Sequence, residues 1–457
     1  MEYVVYFVIT IGILVFVHEF GHFATAKLSK MRVDVFALGF GKRLLGYNKI
    51  NGFTFGSLPK DFDSQGFTDY RISLLPLGGY VKIAGMVDES FDTKFAESEP
   101  KPYEFRAKGT LPKLFVISAG VMMNLTLTLL IFWGINYFHG KQYFNTTTIS
   151  TVEAGSDAEK AGFQSLDKIL SINGVKIDNW DDVIDQMMAN ISERDVNVLV
   201  ERNNTQKELH LPKEILAQNL QKGLFIFPYP SQQNIYVQEV MKNSPAADAG
   251  IKSGDILLSI NNIPLKQRDQ VVEIISSNKE KKIPIVYMHG EDTLRSTVNP
   301  GMEGKIGIGF APVQIYTGKI EFRRFGFFAS ITHAFDDAVQ FTVLTFTMMK
   351  DVIVGKIAFK QAFGGPFKIA QFAAKSADIG IIPFLHFLAM LSLSLAIINI
   401  LPFPVLDGGH VVIIALEGIF RKELPIKIKI AIQNVGFVIL LMLMAFIIYN
   451  DVISLWF

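Results

Sequence analysis

The sequence predicts a polytopic α-helical membrane protein whose four spans are divided by a large polar α+β insert. Three observations carry this. Apolar runs of membrane-crossing length lie toward both ends of the chain. The composition is mixed, with 49% hydrophobic residues and a mean hydropathy of +0.30, greasier than an ordinary soluble protein yet more polar than an all-membrane one. The polar middle of the chain repeats itself once.

At 457 residues the chain has room for several domains. Three spans are plain: residues 3–26, LFVISAGVMMNLTLTLLIFWGI (114–135) and AIQNVGFVILLMLMAFIIY (431–449). A fourth run, IIPFLHFLAMLSLSLAIINILPFPVL (381–406), is long enough to cross, although prolines break its far end. Each approaches the ~20 residues that cross a ~30 Å hydrocarbon core. The first run opens on Glu2 rather than a basic segment and lacks a small-residue cleavage site, so it reads as a retained anchor.

Lys27, Lys30, Arg32, Lys42 and Arg43 follow the first span, and Arg106, Lys108 and Lys113 precede the second. Arg421, Lys422, Lys427 and Lys429 lie between the last two. The positive-inside rule makes these loops cytoplasmic, which leaves both termini and the large middle region outside. Net charge is +1, so nothing points to nucleic acid, and the absence of cysteine excludes disulfides and thiolate metal sites.

Within the insert, SDAEKAGFQSLDKILSINGVKI (156–177) aligns without gaps to SPAADAGIKSGDILLSINNIPL (244–265). Ala158, Ala161, Gly162, Asp167, Leu170, Ile172 and Asn173 recur at an offset of 88, which implies two copies of one small domain. Each copy has strand-like runs (TTTISTVE, NVLVERN; IYVQEVM, IPIVYMH) and one helix-like run (DDVIDQMM; QVVEII). The pattern resembles PDZ domains, which bind extended peptides beside a sheet edge. GLFIF (223–227) and GIGF (307–310) are expected as strands bordering the second copy. Whether the copies bind peptide or act as spacers stays open, because fold does not fix function.

The chemistry is announced by VFVHEFGHFA (15–24), where two histidines and a glutamate interrupt the first span. HEFGH is H-E-x-x-H. On a helix His18 and His22 lie one turn and ~6 Å apart on the same face, so both imidazoles can reach one ion. Glu19, ~100° around the helix, is placed to take a proton from water without ligating. A pair of merely satisfied core histidines is the weaker reading, since a glutamate beside them would be costly in hydrocarbon.

Catalytic zinc takes three protein ligands and keeps one position open. The best third ligand is Asp407, in NILPFPVLDGGH (399–410), where Pro402 and Pro404 break the helix. Irregular backbone at membrane depth needs protein or a wet cavity around it, and a carboxylate there needs a charge partner. The alternative is that Asp407 only caps the next helix. His18 lies ~22 Å along a helix starting near Tyr3, so the site sits toward the cytoplasmic side, where the third span also delivers Asp407. His410 would make a fourth ligand and close the water position, so a supporting role suits it. His139, His210, His289, His333 and His386 have no spacing partner.

Together, H-E-F-G-H in the first span, N-x-x-P-x-P-x-L-D-G in the third and two PDZ-like copies between them resemble the site-2 proteases, and within them the bacterial sigma-E-regulating branch. The resemblance implies an intramembrane zinc metalloprotease that hydrolyses peptide bonds within transmembrane segments, anti-sigma factors among them and signal-peptide remnants as further candidates. It puts Zn²⁺ on His18, His22 and Asp407, makes Glu19 the catalytic base, and makes Asn399 a substrate-contacting residue. It also implies a bacterial inner-membrane location, with the lipid bilayer, single-pass transmembrane substrates and PDZ-bound peptides as partners and no role for nucleic acid.

ALGFGKRL (37–44) and RISLLPLGGYVKIAG (71–85) resemble the family's membrane-re-entrant β-structure, whose edge would hold an unwound substrate at Gly78, Gly79 and Tyr80. The full expectation is four transmembrane helices, a re-entrant β-structure and two tandem extracytoplasmic PDZ-like (α+β) domains. Its divisions are 1–135 and 380–457 for the membrane domain, 140–222 and 223–314 for the PDZ-like copies, and 325–359 for an amphipathic interfacial helix with the stripe Phe328, Ile331, Phe335, Val339, Phe346, Met349 and Ile353. GPFKIA (365–370) also resembles the family. Two features depart from it: residues 51–69 are longer, and Val121 stands where A-G-P-x-x-N would place proline. Rival readings are a membrane PDZ scaffold with an inactive metal site and a metal transporter. An intact Glu19 argues against both.

Overall fold

The computed structural model describes residues 2–59, 62, 64–86, 99–189, 195–220, 225–241, 243–265, 268–289, 292–355 and 364–456. They form two compact units, Met1–Gly140 with Arg324–Phe457, and Lys141–Arg323.

The first unit begins with α1 (Glu2–Leu28), apolar throughout except at the metal motif and closed by Lys27 at the negative end of the helix dipole. Strands β1 (Val33–Asn48), β2 (Gly52–Phe55) and β3 (Asp69–Ile83) follow. Their pairing is two-sided. Val35–Leu38 pairs with Gly79–Lys82 on one side and Asp69–Ile72 on the other, while Arg43–Tyr47 pairs with Tyr70–Ser73. Gly52–Phe55 then adds to Leu45–Asn48. Gly78 takes φ +148°, but the strand runs unbroken from Asp69 to Ile83, so the expected glycine turn between two short strands is not present. Phe36, Val81 and Ile83 pack with Ala26, Val116 and Ile117, which fixes the sheet to α1 and α2 (Thr110–Gly134). Helix α2 passes through Val121 without a break, so valine in place of proline leaves a regular helix.

The second unit opens with β4 (Lys141–Phe144) and closes with β15 (Ile320–Arg323), and the two pair with Lys141 opposite Arg323. The first repeat contains α3 (Asp157–Lys160), β5 (Lys168–Ile172), β6 (Val175–Lys176), α4 (Trp180–Ala189), β7 (Val196–Arg202), β8 (Thr205–Leu211) and α5 (Lys213–Leu220). Its sheet runs β6-β5-β7-β8. The second contains β9 (Ser231–Val240), α6 (Pro245–Asp248), β10 (Ile256–Ile260), β11 (Ile263–Pro264), α7 (Arg268–Ser277), β12 (Ile283–His289), β13 (Asp292–Val298) and β14 (Ile308–Tyr316). Its main path is β13-β12-β10-β9-β14.

The repeated residues do the same work twice. Ser156 and Ser244 cap the short helices, accepting from the backbone N–H of Glu159 at 3.2 Å and Ala247 at 3.3 Å. The buried Asp167 and Asp255 each accept a backbone N–H at 2.8 Å, from Gln164 and Lys252. Their charge partners differ, Arg202 at 2.6 Å in the first copy and His289 at 2.6 Å in the second.

Two expectations are corrected here. TTTISTVE forms only isolated bridges, at Thr148 and Ile149. Of GLFIF, residues 223 and 224 lie outside the described residues, and Phe225 and Ile226 pack in the first copy's core around Phe163 and Trp180 rather than bordering the second. That core needs the apolar pair because its own N-terminal run supplies so little strand. GIGF does border the second copy, at the start of β14.

The chain returns to the first unit through α8 (Phe327–Ile353), α9 (Pro366–Ile379), α10 (Ile381–Ile400), α11 (Asp407–Phe420) and α12 (Ile426–Trp456). Among the described residues four helices are long and apolar enough to cross a membrane: Tyr3–Leu28, Thr110–His139, Ile381–Ile400 and Ile426–Asp451. Helix α8 is amphipathic in an unexpected sense. Its small residues Ser330, Ala334 and Ala338 are buried, the alanines against Phe132 of α2 and Ala389 and Leu393 of α10, while Phe328, Phe335, Val339 and Ile353 of the apolar stripe stay exposed. Small residues permit close helix approach, so the wide aromatic stripe is left facing outward. Residues 356–359 of that segment lie outside the described residues. GPFKIA starts α9, whose first backbone N–H groups donate to the buried Asp451 of α12.

Candidate metal centre

Helical spacing puts His18 and His22 on one face of α1, their ring centroids 4.9 Å apart and their planes at 80°. Asp407 reaches them from the other end of the chain. After α10 the segment 401–406 cannot stay helical, because Pro402 and Pro404 lack amide donors. It turns with Val405 at φ +80°, a conformation strained for a β-branched residue. The residue at the N-cap of α11 is Leu406, and Asp407 is the first helical residue. Capping therefore does not account for this carboxylate.

His18 Nε2 and His22 Nε2 are each 3.4 Å from Asp407 Oδ2 and 3.3 Å from one another. The three side chains are 13%, 13% and 17% exposed, and Asp407 Oδ2 is buried without a hydrogen-bond partner among the described residues. Three donor atoms at these separations match one face of a tetrahedron, because bonds of ~2.0–2.1 Å give edges of ~3.3 Å. The residues fit zinc and leave a fourth position for a non-protein ligand. Among the described residues this is the one group of three or more metal-capable side chains so assembled.

Helix α2 supplies the supporting contacts. His22 Nδ1–H donates to the Val116 carbonyl at 2.9 Å, which leaves the Nε2 lone pair facing Asp407. The Asn124 amide nitrogen lies 3.2 Å from His18 Nδ1, so the asparagine of α2 contacts this ring at the nitrogen away from Asp407. Between them lies Gly120: a β-carbon there would collide with His22 Nε2 and stand 2.6 Å from His18 Cε1. Sequence reasoning kept Asn124 only as part of a motif and missed Gly120. The available signal was an asparagine one turn after a glycine inside an apolar span.

Glu19 is half-buried on the neighbouring face of α1. Gly79 of β3 comes so close that a β-carbon would stand 3.0 Å from Glu19 Cγ and 2.8 Å from Val15 Cγ1. Next to it Tyr80 stacks on Phe40 at 6.0 Å between centroids, and Gly78 lies against the same Phe40 ring. The strand segment named from the sequence thus passes beside the expected base. Asn399 is half-buried in the last turn of α10. His410 is not in the three-residue group; its Nε2 lies 3.1 Å from the Gln433 amide of α12.

Comparison with known proteins decides the class. Residues 6–443 match Peptidase family M50. The chain belongs to peptidase family M50. As an M50 peptidase it is a zinc-dependent metalloendopeptidase with several membrane-spanning helices. It is 30% identical over 459 residues to the "Regulator of sigma-E protease RseP" of Salmonella typhimurium (strain 14028s / SGSC 2262), with 97% of each chain covered. It is 29% identical over 461 residues to the protein of that name from Escherichia coli (strain K12), again covering 97% of each. A "Putative zinc metalloprotease" of Vibrio cholerae serotype O1 is 29% identical over 466 residues, with the same coverage. The M50 assignment leaves the scaffold and transporter readings without support.

Proposed function

We propose that this M50 peptidase cleaves transmembrane segments of single-pass membrane proteins of the anti-sigma-factor kind, using His18, His22 and Asp407 to hold zinc and Glu19 as the base. The observation that carries the reading is the triangle of donor atoms on a membrane-length helix, beside a strand that reaches Glu19. Zinc, when bound, supplies the Lewis acid that activates water and polarises the scissile carbonyl. The Glu19 carboxylate takes a proton from the attacking water and returns it to the leaving amine.

A substrate helix hides its carbonyls in internal hydrogen bonds, so it must unwind before it can react. Among the described residues Gly79–Ile83 pairs with β1 on one side only, and this supports an edge on which the unwound segment extends across Gly78, Gly79 and Tyr80. Asn399 would hold its backbone from the end of α10. Basic residues flanking the spans support a cytoplasmic-side active site in an inner membrane, with both termini and Lys141–Arg323 outside. The duplicated caps and buried aspartates support two PDZ-like copies there, and β14 has a neighbour on one side in its sheet.

The test is cleavage of a single-pass substrate in proteoliposomes by wild type and Glu19→Gln, with zinc measured in both. Retained zinc and abolished cleavage are expected. Loss of zinc together with activity would make Glu19 a ligand and overturn the assignment.

A further inference from the structure

The segment that delivers Asp407 turns on a residue ill suited to the turn. Leu406 N–H donates to the Phe403 carbonyl at 3.2 Å, so residues 403–406 close a β-turn with Pro404 second and Val405 third. Val405 takes φ +80°. That is the third-residue value of a type II turn, a position that calls for glycine or asparagine. A β-branched residue held there is strained, and such strain persists only where the surroundings impose it.

The surroundings come from α11 and α12. A β-carbon on Gly408 would collide with the Leu401 carbonyl, and one on Gly409 with the Phe403 carbonyl, so the start of α11 folds back tightly on the segment. From α12, Gly436 lies against Pro404: a β-carbon there would collide with Pro404 Cβ and stand 2.9 Å from the Pro404 carbonyl oxygen. On the same face of α12, Gln433 Nε2 lies 3.1 Å from His410 Nε2, and Lys429 donates to Glu417 at 2.7 Å. The rest of this helix is bare. Between residues 421 and 450, all of them described, Gln433 and Gly436 alone are buried. The one buried patch of this span therefore backs the segment that carries Asp407.

We propose that Gly436 and Gln433 are positioning residues for the metal centre. Helix α12 presses on Pro404 and His410, holds Val405 in its strained turn, and so sets where the Asp407 carboxylate stands opposite His18 and His22. This rests on the reading of Asp407 as a zinc ligand. A side chain at position 436 must push Pro404 away, which lets Val405 relax and displaces the carboxylate two residues later. Glycine at position 405 removes the drive to relax, because glycine takes φ +80° without strain. Val405→Gly should therefore repair what Gly436→Ala damages. If Gly436 only packed the helix, no repair would follow, since Val405→Gly adds no contact and loosens the chain.

The experiment uses the full-length protein purified in detergent. Chelator competition gives zinc affinity, the visible absorption of the Co²⁺-substituted protein reads the ligand geometry, and the unfolding temperature of the metal-free protein checks folding. Gly436→Ala is expected to bind zinc ~10–100-fold more weakly, the range for a disturbed supporting contact, and to shift the Co²⁺ bands. Adding Val405→Gly should recover most of the affinity and the wild-type bands. Val438→Ala, on an exposed part of α12, should change neither. Gln433→Ala should act in the same direction as Gly436→Ala, and where Gly436→Ala does not fold it carries the same comparison with and without Val405→Gly. Asp407→Ala is run beside them. If Asp407→Ala keeps wild-type affinity and bands, the ligand reading fails and the proposal falls with it. If it loses both while the folded α12 variants match wild type, or while Val405→Gly repairs nothing, the ligand reading stands and the role of α12 is overturned.

Discussion

A β-carbon on Gly120 would stand 2.6 Å from His18 Cε1, so the candidate metal-binding histidines rest directly on the backbone of α2. In an ordinary helix Gly→Ala stabilises by ~0.4–1 kcal/mol. Here the added methyl overlaps two rings at once, and overpacking of that kind costs ~1–3 kcal/mol. Strain should win. Gly120→Ala is expected to weaken zinc affinity by ~10–100-fold, the range for a disturbed supporting contact. Competition with a zinc chelator measures it, and wild-type affinity in a folded Gly120→Ala protein would show that the rings have room to move.

Asp407 and Asn399 flank the broken end of α10 but are expected to fail differently. Asp407 Oδ2 is buried beside the two imidazoles, so Asp407→Ala should empty the site. Asn399 is not in the donor group, so Asn399→Ala should keep zinc and slow cleavage. Metal analysis next to a cleavage assay separates them. Equal zinc loss in both variants would remove the distinction.

The difference in legibility between these residues has a physical cause. His18, Glu19 and His22 lie on one helix, where a 3.6-residue period fixes their relation, so four letters of spacing sufficed. Asp407 was legible as a candidate because a carboxylate after two prolines in an apolar run needs a charge partner, although capping of the next helix stayed open until the cap proved to be Leu406. Gly120, Val116 and Asn124 were not, because their role depends on how α2 is rotated against α1, and no local period encodes that. The sheet failed in the same way. The sequence signals short strands and a glycine turn, not the unbroken β3 or the flanking of Val35–Leu38 by two different segments of it. The two copies were legible from their repeated caps and aspartates, whereas the packing of Phe225 and Ile226 into the first core was decided by its weak N-terminal run.

Asp181 gives the second unit a pH dependence of its own. Burial, with the nearby Asp185 and Asp182 charges, raises its carboxyl from 3.8 to about 6. A carboxyl raised on folding contributes stability that is fully present below the unfolded value and lost as pH rises through about 6. At neutral pH the native state therefore carries a disfavoured charge. Asp181→Asn should raise the unfolding temperature at pH 7.5, with the gain vanishing near pH 4. Fluorescence of the adjacent Trp180, buried in the same core, follows the transition in a protein whose other two tryptophans are replaced by phenylalanine. A gain that persists unchanged at pH 4 would mean that packing, not the charge, is responsible.

The last prediction concerns what Lys141–Arg323 contributes. All the candidate metal and base residues lie in the other unit, and the β4–β15 ladder places Lys141 opposite Arg323, so the ends of this unit are adjacent. Residues 141–323 can then be excised and Gly140 joined to Arg324 by a short glycine-serine linker. If the two copies screen substrates by bulk, the shortened enzyme should bind zinc and cut a substrate with a short external domain at close to the full-length rate. It should also cut the same substrate carrying a long folded external domain, which the full-length enzyme rejects until that domain is trimmed. The four combinations of enzyme and substrate are compared in one proteoliposome preparation, with zinc content as the control for folding. A shortened, zinc-loaded enzyme that still rejects the long form while cutting the short one refutes the filter. Loss of cleavage of both substrates, with zinc retained, would instead make the copies peptide-binding adaptors needed to deliver substrate.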